Sequence, residues 1–138
     1  MEEATITRVM PNSLEAEQSV VGSMIMDRQA IITAGEMLCT EDFYHNQYGI
    51  MFQTMVEMNN EGKSVDIVTL QERLKAKNIA SDIYSVAFIR DLLAAVPTSA
   101  NIRQYASIVK EKSILRNIIK VNNNIANACY AGTQPTED

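Results

Sequence analysis

The segment from Asn101 to Ala131 constrains this chain more than any other. Helix-stopping residues stand only at its ends, Pro97 before it and Gly132 after it. The spacing predicts one long helix, with Ser99 or Asn101 available as its cap. Residues 101–129 alone would span roughly 43 Å. A 138-residue chain folded as one domain is narrower than that, so this helix cannot lie wholly across its own body. Its first half carries a one-sided stripe of Ile102, Tyr105, Ala106 and Val109. Its second half is apolar around much of its circumference, at Ile114, Leu115, Ile118, Ile119, Val121 and Ile125. Ile108, Leu115, Ile118, Asn122, Ile125 and Cys129 follow the spacing of a coiled-coil seam, with one asparagine at an a-like position that can set register. Beyond Gly132, Pro135-Thr136-Glu137-Asp138 reads as the start of a returning helix, so 101–138 is expected to hold a long helix and the first part of a helical hairpin.

The remainder also reads as helix. Residues 1–12 are expected to form a flexible tail and 13–100 a globular helical domain. Ser13 or Asn12 can cap a first helix whose stripe is Leu14, Val21, Met24 and Ile25, and Glu15 and Glu17 suit its positive start. A second helix covers about 28–38. A third covers about 46–60, with Tyr48, Met51, Phe52, Met55 and Val56 at helical spacing and Gly62 as terminator. Asp66 caps a fourth, on which Ile67, Leu70 and Leu74 repeat. "NIASD" reads as a loop, and a fifth helix covers about 83–95, stopped by Pro97. The predicted fold is therefore an all-α compact bundle of about six helices, the last one long.

Several kinds of chemistry are weakly supported. Gly62-Lys63-Ser64 ends like a phosphate-binding loop, but the pattern requires glycine at position 57, where Glu57 stands on a predicted helix. No nucleotide site is expected there. Cys39 and Cys129 lack metal or redox spacing and read as two buried thiols in a reducing compartment. Most of the eight methionines are expected in the core. The lone histidine, His45, with Glu41 and Asp42 beside it, could be an acid–base or metal cluster, although a surface or cap role suits it better. The formal net charge of -5 is uneven: residues 101–131 carry Arg103, Lys110, Lys112, Arg116 and Lys120 against Glu111 alone. An acidic body is a poor general nucleic-acid surface. The basic helix lacks interleaved aromatics, and its charges fall on two faces, as in a solvated helix. No apolar run approaches membrane-spanning length, and the N-terminus lacks the features of a signal peptide.

Four stretches taken together are more specific. "PNSLEAEQSVVGSMIMD" (11–27), "EDFYHNQYGIMFQTM" (41–55), Gly62-x-x-"VDIVTL" (65–70) and "VPTSANIRQYASIVKEKSILRNII" (96–119) resemble, in order, the N-terminal domain of bacterial replicative DNA helicases of the DnaB type. The resemblance implies an all-α, non-catalytic domain that precedes a linker and a RecA-like ATPase domain. ATP and Mg would be bound in that ATPase domain, leaving no cofactor or metal for the present segment. It also implies a hexameric ring whose N-terminal domains pair into a collar, with primase as partner, a helicase loader as a further one, DNA met only through the assembly, and a bacterial cytoplasmic, nucleoid-associated location. The primase-facing and hairpin-packing positions correspond to Phe88, Ile119 and Ile125, and Ile118 joins them from the stripe. The chain departs from the family where Tyr84-Ser85 replaces a usual Gly-Gly pair, and where Phe88 lacks the hydroxyl of a common tyrosine. Two alternatives remain at this point: the helicase-binding C-terminal domain of primase, against which the EAEQ opening argues, and a small all-α enzyme using Glu41, Asp42 and His45.

Overall fold

The computed structural model describes residues 8–132 apart from Pro97. Within them lie α1 (Leu14–Met26), α2 (Arg28–Met37), a 3-10 turn (Thr40–Asp42), α3 (Asn46–Asn60), α4 (Ile67–Ala76), a four-residue α5 (Ser81–Tyr84), α6 (Val86–Ala94) and α7 (Ile102–Ala131). Among the described residues there is no strand, and the all-α expectation holds. Residues 1–7 of the expected tail, proline's role as a stop at position 97, and the returning helix at 135–138 fall outside the described residues.

Local chemistry explains the boundaries. The Ser13 hydroxyl accepts from the Ala16 N–H at 3.2 Å, and the Asp66 carboxylate accepts from the Thr69 N–H at 2.8 Å while the Thr69 hydroxyl accepts from the Asp66 N–H. Asp27 ends α1 and caps α2 through the Gln29 N–H. Gly62 takes φ +77° after α3, a conformation costly to any residue with a Cβ. Three boundaries differ from expectation. Ser81 and Asp82, expected in a loop, open α5. The predicted helix over 83–95 is split, because Ser85 adopts extended backbone and its hydroxyl accepts from the Phe88 N–H to start α6 afresh. The Ser85 side chain is thus a working cap. At the start of α7 neither proposed residue caps through its side chain: Asn101 makes no cap bond, and the Ser99 hydroxyl instead donates to Asp27 at 3.3 Å.

Helix α1 is the centre of the head. It packs against α2, α3, α6 and α7, burying Val20, Val21 and Met24 completely. Gly22 lets α6's end come close: a Cβ there would sit 2.5 Å from Val96 Cγ2. Met51, Phe52, Met55 and Met58 of α3, Leu70 and Leu74 of α4 and Ile89 and Leu92 of α6 complete the core. Four methionines are therefore core residues, whereas Leu14, expected on the inward stripe, is largely exposed. Both cysteines are exposed, contrary to the expectation of buried thiols. Cys39 heads a surface 3-10 turn and Cys129 lies far along α7, so neither has a core to enter.

Candidate interaction surface

Helix α7 has 30 residues, about 45 Å of rise. Ile102, Ala106, Val109, Ser113 and Arg116 form its inward face, packed on α1 and α2. No residue beyond Arg116 is fully buried among those described. About 22 Å of helix, the arm, therefore runs on past the head. Ile114, Ile118, Val121 and Ile125 repeat along one side, about 130° round from the inward face at 100° per residue. Ile118 remains 51% exposed and Ile125 57%. Every member of the expected seam, from Ile108 through Asn122 to Cys129, is exposed.

The sequence-predicted site residues do not converge. Ile118 and Ile125, seven positions apart, share the stripe. Ile119 lies about 100° round from Ile118 and is half-buried. Phe88 belongs to the head: it is half-buried in α6 and its ring stacks on Tyr48 of α3 at 6.0 Å between centroids. With Asn46, Gln47, Asp82 and Ile83 it borders a shallow pocket of about 310 Å³.

The alternative enzyme cluster is not assembled either. Glu41 is exposed. Asp42 is buried and faces α7, where its carboxylate accepts from Ser113 Oγ at 2.7 Å, from Lys110 Nζ at 3.2 Å and from the Cys39 N–H at 2.8 Å. Burial pushes the Asp42 carboxyl upward, but the Cys39 N–H, Ser113 and Lys110 bonds outweigh it and hold the carboxyl below its ordinary value. His45 turns the other way, toward Glu17 of α1. Glu17 is only 1% exposed, and its carboxylate accepts from the Tyr44 N–H at 2.9 Å and the His45 N–H at 3.0 Å and lies 3.1 Å from His45 Nδ1. Asp42 and His45, three positions apart, thus face different helices, α7 and α1, because the 3-10 turn and the extended residues after it point these side chains apart. Among the described residues no group of His, Cys, Asp and Glu is arranged to hold a metal ion.

Two residues that sequence reasoning missed hold these networks. Glu17 suits a helix start by its charge, yet it lies four and seven positions from the core residues Val21 and Met24, on the inward stripe. Arg116 belongs by composition with the solvated charges of α7, yet it follows Val109 and Ser113 on that helix's inward face. Its guanidinium donates to the Asp42 carbonyl at 2.7 Å and the Pro11 carbonyl at 2.8 Å and lies over the Tyr44 ring. A charge at an inward helical position was the available signal for both. Gly62-Lys63-Ser64 forms a helix end and loop, and Glu57 lies on α3, paired with Lys77 at 3.2 Å.

The architecture is that of an all-α domain whose last described helix is long and carries an exposed apolar stripe. The chain belongs to the DnaB-like helicase N terminal domain family, whose model matches residues 9–111. It is 39% identical over 130 residues to the replicative DNA helicase DnaB of Geobacillus stearothermophilus; the match covers 94% of this chain and 29% of that relative. The crystal structure of the N-terminal domain of DnaB helicase from Mycobacterium tuberculosis superposes with a TM-score of 0.88 at 32% identity, covering 94% of this chain and 92% of that one. The N-terminal domain of the Helicobacter pylori DnaB helicase, described with its interactions with primase, shares the fold with a TM-score of 0.73 at 20% identity, covering 84% and 90%. Among the described residues no helix is long and apolar enough to cross a membrane.

Proposed function

We propose that this domain is the non-catalytic N-terminal module of a replicative DNA helicase, joining copies of the helicase into the collar of a hexameric ring and receiving primase. The carrying observation is the apolar side of the arm, set away from the face that the head covers. In this reading Ile118 and Ile125 pack against another copy or a returning helix. Ile119 and Phe88 contribute to primase binding. A helicase loader is a further partner, DNA is met through the assembled ring, and ATP with Mg acts in a separate ATPase domain. The setting is the bacterial cytoplasm. Family membership and the named role of the relatives as replicative helicases support this reading, and the H. pylori domain's link with primase supports the partner.

The test is association. Each stripe isoleucine has roughly half its surface left to bury, so burying it in a partner contributes about 1 kcal/mol, or about fivefold in affinity. Replacing both Ile118 and Ile125 by Asp adds the cost of placing charge in that contact. Sedimentation should show association weakened by at least about 25-fold, with the helical circular-dichroism signal retained. Titration of purified primase against Phe88→Ala and Ile119→Ala tests the second surface. Unchanged association in the double Asp variant would refute the interface. Unchanged primase affinity in both alanine variants would refute the docking surface.

A further inference from the structure

The side-chain hydrogen bonds described between α7 and the head all end in one small region. Lys110 and Ser113 reach the Asp42 carboxylate, and Arg116 reaches the Asp42 and Pro11 carbonyls. That region is held from behind by a second buried carboxylate, Glu17, through the backbone of Tyr44 and His45. The fully buried apolar residues of α7 end earlier, at Val109. From there to Arg116, nearly two turns, the contacts described for the inward side chains Ser113 and Arg116 are hydrogen bonds and the placing of the guanidinium over the Tyr44 ring. Arg116 is 5% exposed, so its charge has few solvent contacts to fall back on if these bonds are lost.

We propose that residues 39–45 form the joint that fixes the direction in which the arm leaves the head, with Asp42 and Arg116 as its positioning residues. Coulomb attraction and donor geometry suit this role. A planar guanidinium donating to two carbonyls on separate chain segments sets the azimuth of α7 as well as its distance from the head. The Asp42 carboxylate ties the same helix one turn earlier and closes its own turn through the Cys39 N–H. Glu17 stops the whole loop from moving with the helix. Apolar contacts alone would leave the helix freer to pivot past Val109, because they are non-directional. That the joint aims an assembly surface rests on the reading of the arm given above. The arm's direction itself does not depend on that reading.

The experiment measures direction and association separately. Spin labels go on the native Cys129 and on Glu72→Cys, exposed on α4 of the head, in a Cys39→Ser background that keeps the backbone N–H bonded to Asp42, and the labelled chain is diluted with unlabelled protein. Pulsed electron–electron resonance should give one narrow distance distribution in this parent. Asp42→Asn and Arg116→Met should broaden or displace it while the helical signal persists, and Ser113→Ala should do so more weakly. Self-association should weaken by about tenfold, as expected for one charge-assisted bond lost, although none of these residues lies on the exposed stripe. A narrow and unshifted distribution in Asp42→Asn and Arg116→Met refutes the joint. If either variant unfolds, Ser113→Ala, which removes one hydroxyl, decides by the same readout. An intact arm direction effect without any association in the parent would refute the interface reading and leave the joint standing.

Discussion

Replacing Glu17 by alanine tests the least expected feature of the head. The carboxylate is buried inside α1 and receives two backbone N–H groups from a segment 27 and 28 residues away. Removing it orphans those donors, at about 1–3 kcal/mol each when water cannot reach them. Tyr44 and His45 keep some solvent access, so the lower half of that range applies to each. Relief of the carboxylate's own burial cost offsets part of the loss. The net destabilisation is about 2–3 kcal/mol, which for a chain of this size lowers the melting temperature by about 6–15 °C. Glu17→Gln keeps one carbonyl oxygen as acceptor and should lose about half as much. Differential scanning calorimetry of the parent and both variants at neutral pH measures this directly. If Glu17→Ala melts within about 2 °C of the parent, the carboxylate does not hold the loop, and the account of how residues 39–45 are fixed fails with it.

Two other outcomes follow from the same geometry. Gly22→Ala should destabilise by about 1–2 kcal/mol in thermal melts, because overpacking against Val96 costs about 1–3 kcal/mol and the gain in helix propensity returns at most about 1; a more stable variant would show that the α1–α6 approach is looser than described. The Asp42 carboxyl titrates below its ordinary 3.8 in the folded chain, so its contribution is present above that unfolded value and is lost as pH falls through the lower folded one; the stability gap between the parent and Asp42→Asn should shrink on acidification below about pH 3.8, and a gap that stays constant would remove Asp42 from the ionic tie.

The sequence reveals the helices wherever local chemistry decides them. Ser13, Asp66 and Gly62 act through bonds within three or four residues, and each was readable because the signal and its effect share one turn. The break at Ser85 was harder, since a serine inside an otherwise continuous helical pattern can either point outward or cap, and the choice depends on how α6 packs. The exposure of both cysteines has a related reason. A thiol's preference for the core says nothing when, as at Cys39 and Cys129, its element has no inward face at that position.

The buried charges show where local reasoning stops and what could extend it. Glu17 and Arg116 are both ionisable side chains on helices that also carry solvent-facing charges, and composition cannot tell one kind from the other. Helical phase can. Glu17 is in phase with Val21 and Met24, and Arg116 with Val109 and Ser113, so either each helix buries a charge or its apolar stripe is broken. Burying an unpaired charge is prohibitive, so an inward charge demands partners from elsewhere in the chain. Glu17 finds backbone N–H donors and Arg116 finds carbonyls, which no pairing of charged residues along the sequence would have suggested. Both sets of partners lie at the ends of irregular segments, where backbone groups are not consumed by helix hydrogen bonds. The stretch 39–45 supplies donors to α1 and acceptors to α7 because it is not helical throughout. Its irregular backbone, which carries none of the periodicity by which the helices were read, is what ties the arm to the head.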